Sequence, residues 1–337
     1  DGDHFALKAP DLNHILKQAM IAKNHDMPFA FVSARQLGQN EIEQFEITSN
    51  IFDGPMFFNV AKETGVAEAE KFQTDGRFLI TNHTIFTSPL TLSFKKNIDI
   101  FVQCVAQRIP VMLVTQPFSG QNGPMTPYGI ALLAFAEFLA GMAMAFAINP
   151  DTKIINGAYP TMCTAGRNPQ LKIGSMVHNF TNYLIAYTSR LLDIASIQSG
   201  CTIEGQVHKQ ELLETDYQTV RAMILWEDIF TGWHMVRHCY GFLGDLAFFS
   251  FLKAENDIAA LRHIQSLDDN GITALLANNV RLNRDIQKAD MIFQKPTMLF
   301  NREKNVLLEV MIETIDNFNG DFGRHEHTLQ NIPIEWF

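Results

Sequence analysis

The chain has 337 residues, 47% of them hydrophobic and 18% charged, which is enough apolar side chain for a large core and too much for a disordered polypeptide. A net charge of −10 and a pI near 5.5 argue against nucleic-acid binding, which needs a basic face. Cys104, Cys163, Cys201 and Cys239 form no C-x-x-C pair, so a reduced, cytoplasmic protein is expected. The opening DGDHFALKAP is acidic and has no apolar run, unlike a signal peptide, and it lacks an initiator Met, as in a processed or partial product.

Leu12–His25 carries apolar residues at helical spacing and leads into a strand, Met27–Ala34. Asn40–Phe52 reads as helix before a Gly54-Pro55 break. A strand follows at Arg77–His83, then a Ser88-Pro89 loop and a helix over Lys95–Gln107. Pro110–Gln116 is a buried strand, Phe118–Pro127 a Gly/Pro turn, Tyr128–Ile148 a long apolar helix and Lys153–Tyr159 a second buried strand. That order makes a βαβ unit, whose strands run parallel through a right-handed crossover. The C-terminal part adds a helix at Met176–Leu192, a strand at Ile194–Gly200, a helix at Glu211–Leu225 and a weak strand at Asp228–Trp233. Phe242–Lys253, Asp257–Gln265 and the acidic Val306–Phe318 read as helices.

Ile130–Ile148 is long enough to span a bilayer, but its one charge, Glu137, lies near the middle, where lipid penalises it. Its Ala- and Gly-rich composition suits a helix packed on a sheet, with Glu137 a buried, paired acid. The β-α alternation repeats about every 35 to 45 residues, the size of a βα unit. Six strands fit a doubly wound sheet or a (β/α)8 barrel lacking strands at one end; the absence of G-x-G-x-x-G favours the barrel. There is no G-x-S-x-G elbow and no P-loop. In parallel α/β folds the chemistry sits at the carboxyl ends of strands, where Gln116, Asn156 and Gln198 each close an apolar run with a polar side chain. Such residues also simply cap strand ends.

Five segments, in order, resemble the trimethylamine methyltransferase family. They are TSPLTLS (Thr87–Ser93), similar to its SPL loop; SGQNGPMTPYG (Ser119–Gly129), similar to AGATAPVTLAG; FAEFLAG (Phe135–Gly141), similar to NAEVLAG; NGAYP (Asn156–Pro160), similar to YGGFP; and GDFGRHEHTLQN (Gly320–Asn331), similar to GHFLGHPHTLRH. The family's glycine-rich HGAGGLLEGGL stands here as the bulkier HMVRHCYGFLGDL (His234–Leu246). The resemblance implies one TIM-barrel domain over residues 1–337, incomplete at its N-terminus relative to the family. It implies methyl transfer from a quaternary or tertiary amine, such as a betaine, to the Co(I) of a corrinoid carried on a partner protein. No pyrrolysine is present, which points to the quaternary-amine branch. A quaternary ammonium already leaves as a neutral amine, so the protein's part is positioning and desolvation.

A methylammonium group is held by aromatic faces with a carboxylate or dipole nearby. The aromatic candidates are Phe118, Tyr159, Trp233 and Tyr240, although with 27 Phe in the chain most aromatics belong to the core. His83 is a candidate substrate or corrinoid contact, or else a hydrogen-bonded loop histidine. Glu204 can face a cation or solvent, and His238 joins the binding set. His234, His238 and Cys239, with His325 and His327, also offer a looser zinc alternative, but no H-E-x-x-H spacing supports it and no bound metal is expected. The other alternative is a quaternary-amine-binding or regulatory barrel without methyl transfer, in which the bulky 234–246 segment obstructs the corrinoid. A homo-oligomer is compatible with either reading.

Overall fold

A computed structural model describes residues 12–26, 30–32, 41–163, 176–199, 235–237, 242–243 and 248–249, helical positions at 251, 254–255, 257–259 and 262, and a turn at 266. The chain divides into two compact units, Asp1–Val114 with Phe138–Ile155, and Thr115–Glu137 with Asn156–Phe337.

The first unit alternates helices and strands: α1 (Leu12–Asn24), β1 (Ala30–Val32), α2 (Glu41–Ile51), β2 (Met56–Phe58), α3 (Glu63–Thr74) and β3 (Leu79–His83). A short antiparallel hairpin, β4 (Phe86–Thr87) and β5 (Thr91–Leu92), precedes α4 (Lys95–Ala106) and β6 (Val111–Leu113). With β7 (Ile154–Asn156) the strands form one sheet in the order β1-β2-β3-β6-β7. Neighbours through β6 pair in parallel, Phe31 with Phe57, Phe57 with Ile80, and Thr81 with Val111. Val111 N–H donates to the Lys153 carbonyl at 2.9 Å, which ties β6 to the chain entering β7. Met56, Phe57, Phe58, Leu79 and all of β6 are buried, as strands covered on both faces must be.

The unit β2–α3 is absent from the sequence reading. A three-residue strand sits below the length at which periodicity registers, and ETGVAEAEKFQT has only a weak apolar stripe. The remaining expected helices and strands of this unit fall where periodicity puts them, with shorter strands.

The long apolar helix α5 (Pro127–Ile148) passes from the second unit into the first. Proline at its first position and the Thr126 Oγ1, which accepts from Gly129 N–H at 3.2 Å, start it. Asn149 stops it, donating to the Val105 carbonyl at 3.1 Å and accepting from Asp151 N–H at 3.1 Å. By length and composition α5 is apolar enough to cross a membrane, and half of its most apolar window is buried inside the protein. Close packing explains its small residues: a Cβ on Gly141 would stand 2.7 Å from Leu113 Cδ1 and 3.2 Å from Ile85 Cδ1. Glu137 is fully buried and has a partner, in keeping with a structural acid.

In the second unit, α6 (Met176–Leu191) precedes β8 (Ile197–Ser199), which pairs in parallel with β9 (Met235–Arg237) so that Ser199 stands opposite Arg237. Asn156 makes a parallel bridge to Ser196. One expectation is corrected here. Residues 242–253 read as helix, yet β10 (Phe242–Leu243) and β11 (Phe248–Phe249) pair antiparallel, Phe242 with Phe249. Phenylalanine favours the pleated surface, and Gly244-Asp245 between the two pairs is a turn signal that outweighs the apolar spacing. Positions 257–259 and 262 are helical as expected. Glu211–Leu225, Asp228–Trp233 and Val306–Phe318 lie outside the described residues.

Candidate functional site

The segments that leave β6 and β7 run on side by side within the second unit. Tyr159 N–H donates to the Thr115 carbonyl at 2.7 Å, Thr161 N–H to the Pro117 carbonyl at 2.9 Å, and Ser119 N–H to the Thr161 carbonyl at 2.9 Å. Side chains lock the turn between them. Asn122 Oδ1 accepts from Phe118 N–H at 2.6 Å, and Ser119 Oγ from Cys163 N–H at 2.8 Å. Gly120, at φ +70°, takes a conformation that L side chains rarely adopt. Gln116 and Phe118 are both half-buried at this edge.

Asn156 is fully buried and its amide is spent on the fold: Nδ2 donates to Ser189 Oγ at 3.0 Å, and Oδ1 accepts from Ala158 N–H at 2.9 Å. Its grip on Ser189 orients α6 against the segment after β7. Tyr159, 2% exposed, lies at the centre of a cluster. The edge of His178, from α6, meets its ring at 5.5 Å and 70°. The guanidinium carbon of Arg237, the last residue of β9, stands 5.5 Å from its centroid. Arg237 Nη2 donates to the Gly157 carbonyl at 2.7 Å.

The electrostatics of the cluster follow from burial. His178 is pushed down to about 3 by desolvation, so it is neutral near pH 7, and its Nε2 accepts from the Asn182 amide at 3.0 Å. Burial also pulls Arg237 down, to about 10, with Tyr159 opposing that fall, so the guanidinium keeps its charge at neutral pH. The arrangement is a buried cation backed by an aromatic face and a neutral imidazole. It can bind and orient an anionic group.

The sequence-predicted residues separate. Asn156 and Tyr159 belong to this cluster. Gln116 and Phe118 stand on the neighbouring turn, and Gln198 lies in β8 opposite Val236. His83 belongs to the first unit, 4% exposed, with Nε2 at 2.8 Å from Thr81 Oγ1 and its ring 5.6 Å from that of Phe101 on α4. It too is pushed down to about 3 by burial, the state of a hydrogen-bonded core histidine. The preceding residue, Asn82, donates to Asn59 Oδ1. Glu204, Trp233, His238 and Tyr240 fall outside the described residues, as do His234, Cys239, His325 and His327 of the zinc alternative. Among the described residues no group of three or more His, Cys, Asp or Glu is placed to hold a metal. Sequence reasoning missed His178, Asn182, Ser189 and Arg237, because a helix stripe and a strand end give no sign of which distant segment they meet.

A family model described as trimethylamine methyltransferase matches residues 62–278. The chain belongs to the trimethylamine methyltransferase family. It is thus a member of a methyltransferase family, and the match spans the turn, α5, α6 and the strand carrying Arg237. No curated protein matches the chain. Among solved structures, 7,8-dihydropteroate synthase from Vibrio fischeri ES114 is similar at 13% identity and a TM-score of 0.42, covering 77% of this chain and 90% of that one.

Proposed function

We propose that this trimethylamine methyltransferase family member moves a methyl group from a quaternary or tertiary amine, betaine-like in character, to a corrinoid held by a partner protein in the cytoplasm. The family match over residues 62–278 carries this reading. The fold we infer is a single (β/α)8 barrel over residues 1–337, supported by parallel strand pairs that follow chain order within each unit. Such a corrinoid would supply the nucleophile for the methyl group. A cobalt already bound by its ring needs no ligand from this chain.

The chain's own residues orient and desolvate the amine. Half-buried Phe118 and Gln116 would line the amine's path, joined by Gln198, Glu204, Trp233, His238 and Tyr240, while Asn156 and Tyr159 hold the segment after β7 in place. A quaternary ammonium departs as a neutral amine, so no proton donor is required of them for that substrate.

The test mixes the full chain with chemically reduced cob(I)alamin and glycine betaine, carnitine or trimethylamine, and follows the visible spectrum. Growth of a methylcobalamin band with one amine is the expected result. No band with any of them, while calorimetry still records amine binding, favours a binding or regulatory protein instead.

A further inference from the structure

Arg237 presents a physical problem that the fold does not solve. The residue is 5% exposed, its Nε–H is buried and donates to no acceptor, and its one hydrogen bond runs from Nη2 to the Gly157 carbonyl. Among the described residues no carboxylate pairs with it. A buried guanidinium has five N–H donors and a full charge, and burial is costly unless both are compensated. A polar group left in this state calls for an explanation, and in a family that acts on small molecules a ligand is the natural one. The Tyr159 ring holds the guanidinium from the side, and Tyr159 is in turn held by His178, so the cation has a fixed position.

We propose that Arg237 is the carboxylate-binding residue of the substrate site, selecting zwitterionic quaternary amines over amines that lack a carboxylate. This rests on the amine-methyltransferase reading for the identity of the substrate, but the carboxylate subsite stands on Arg237 itself. A planar guanidinium matches a carboxylate through paired N–H donors. The same charge repels a bare alkylammonium, whereas a betaine places its own anion between its ammonium and the arginine. The Tyr159 face nearest Arg237 is already taken by a cation, so Tyr159 positions the arginine and the substrate's ammonium must find another aromatic wall.

Isothermal titration of the full chain with glycine betaine, tetramethylammonium and acetate tests the proposal. The wild type is expected to bind betaine, with acetate competing and tetramethylammonium not. Arg237→Gln should weaken betaine and acetate roughly 10- to 100-fold, the loss of a charge-assisted pair, and Arg237→Lys should recover part of it. Should Arg237→Gln fail to fold by near-ultraviolet circular dichroism, Arg237→Lys and the acetate competition on the wild type still decide. Equal betaine affinity in the wild type and the variant that folds overturns the proposal, as does tetramethylammonium binding as tightly as betaine, or no binding of betaine and acetate to the wild type. Arg237-dependent carboxylate binding without methyl transfer from any amine would overturn the methyltransferase reading and leave the subsite standing. Methyl transfer with affinity indifferent to Arg237 would do the reverse.

Discussion

The two units each bury a histidine, and they use it differently. His83, in the first unit, is satisfied by Thr81 and covered by Phe101. His178, in the second, is just as buried and just as neutral, but it braces a tyrosine that in turn faces a buried arginine. What sets the second apart is a buried cation with no carboxylate partner among the described residues, since a neutral imidazole with a hydrogen bond is an ordinary interior group, whereas such a guanidinium is not.

That contrast can be broken most severely at Phe101. Phe101→Ala removes a fully buried ring from the wall that covers His83 and should cost about 3–5 kcal/mol in urea unfolding, with betaine affinity of the folded protein unchanged. An affinity that falls with the stability would erase the distinction between the units.

Acid comes next. Both histidines are held well below the usual range in the folded protein, so the unfolded chain binds their protons first as pH falls. Stability is therefore full above about pH 6.5 and is lost progressively toward pH 3, by about 2 kcal/mol per histidine at pH 5. His83→Gln and His178→Gln should each flatten the unfolding-versus-pH curve between pH 6.5 and 5, and an unaltered slope in both variants would contradict the assigned burial.

Smaller again is Asn156→Ala, which removes the donor to Ser189 Oγ and the acceptor of the Ala158 N–H and should cost about 1–3 kcal/mol. A loss of ligand affinity with stability intact would instead make Asn156 a direct contact. Finest of all is the ring beside Arg237. Tyr159→Phe keeps the aromatic face and should hold betaine affinity within about threefold, while Tyr159→Leu removes it and should weaken binding roughly tenfold. Calorimetry on the two variants reads the difference, and identical affinities would remove Tyr159 from its positioning role.

Much of the frame was legible in the sequence. The helices α1, α2, α4, α5 and α6 fall within a residue or two of their periodic stripes, and four strands of the first sheet follow their apolar runs. The unit β2–α3 was not legible, because three residues carry no measurable period, and the 242–253 segment misled because apolar spacing alone does not separate helix from paired Phe-rich strands. Asn156 and Tyr159 were found from their place at a strand end, but the contacts they make were not legible there: the asparagine ties α6 down and the tyrosine faces a cation that the chain itself provides.

By itself, then, the sequence determined the alternation of helices and strands, the family through its short motifs, and the strand ends where chemistry gathers, since all of these are written in local periodicity and residue type. Only the tertiary structure decided that His83 is core and that Arg237 stands buried beside Tyr159 with a donor to spare. Burial and pairing are properties of what surrounds a side chain, and residues 78 positions apart in the chain reveal nothing of that until the fold brings them within 5.5 Å.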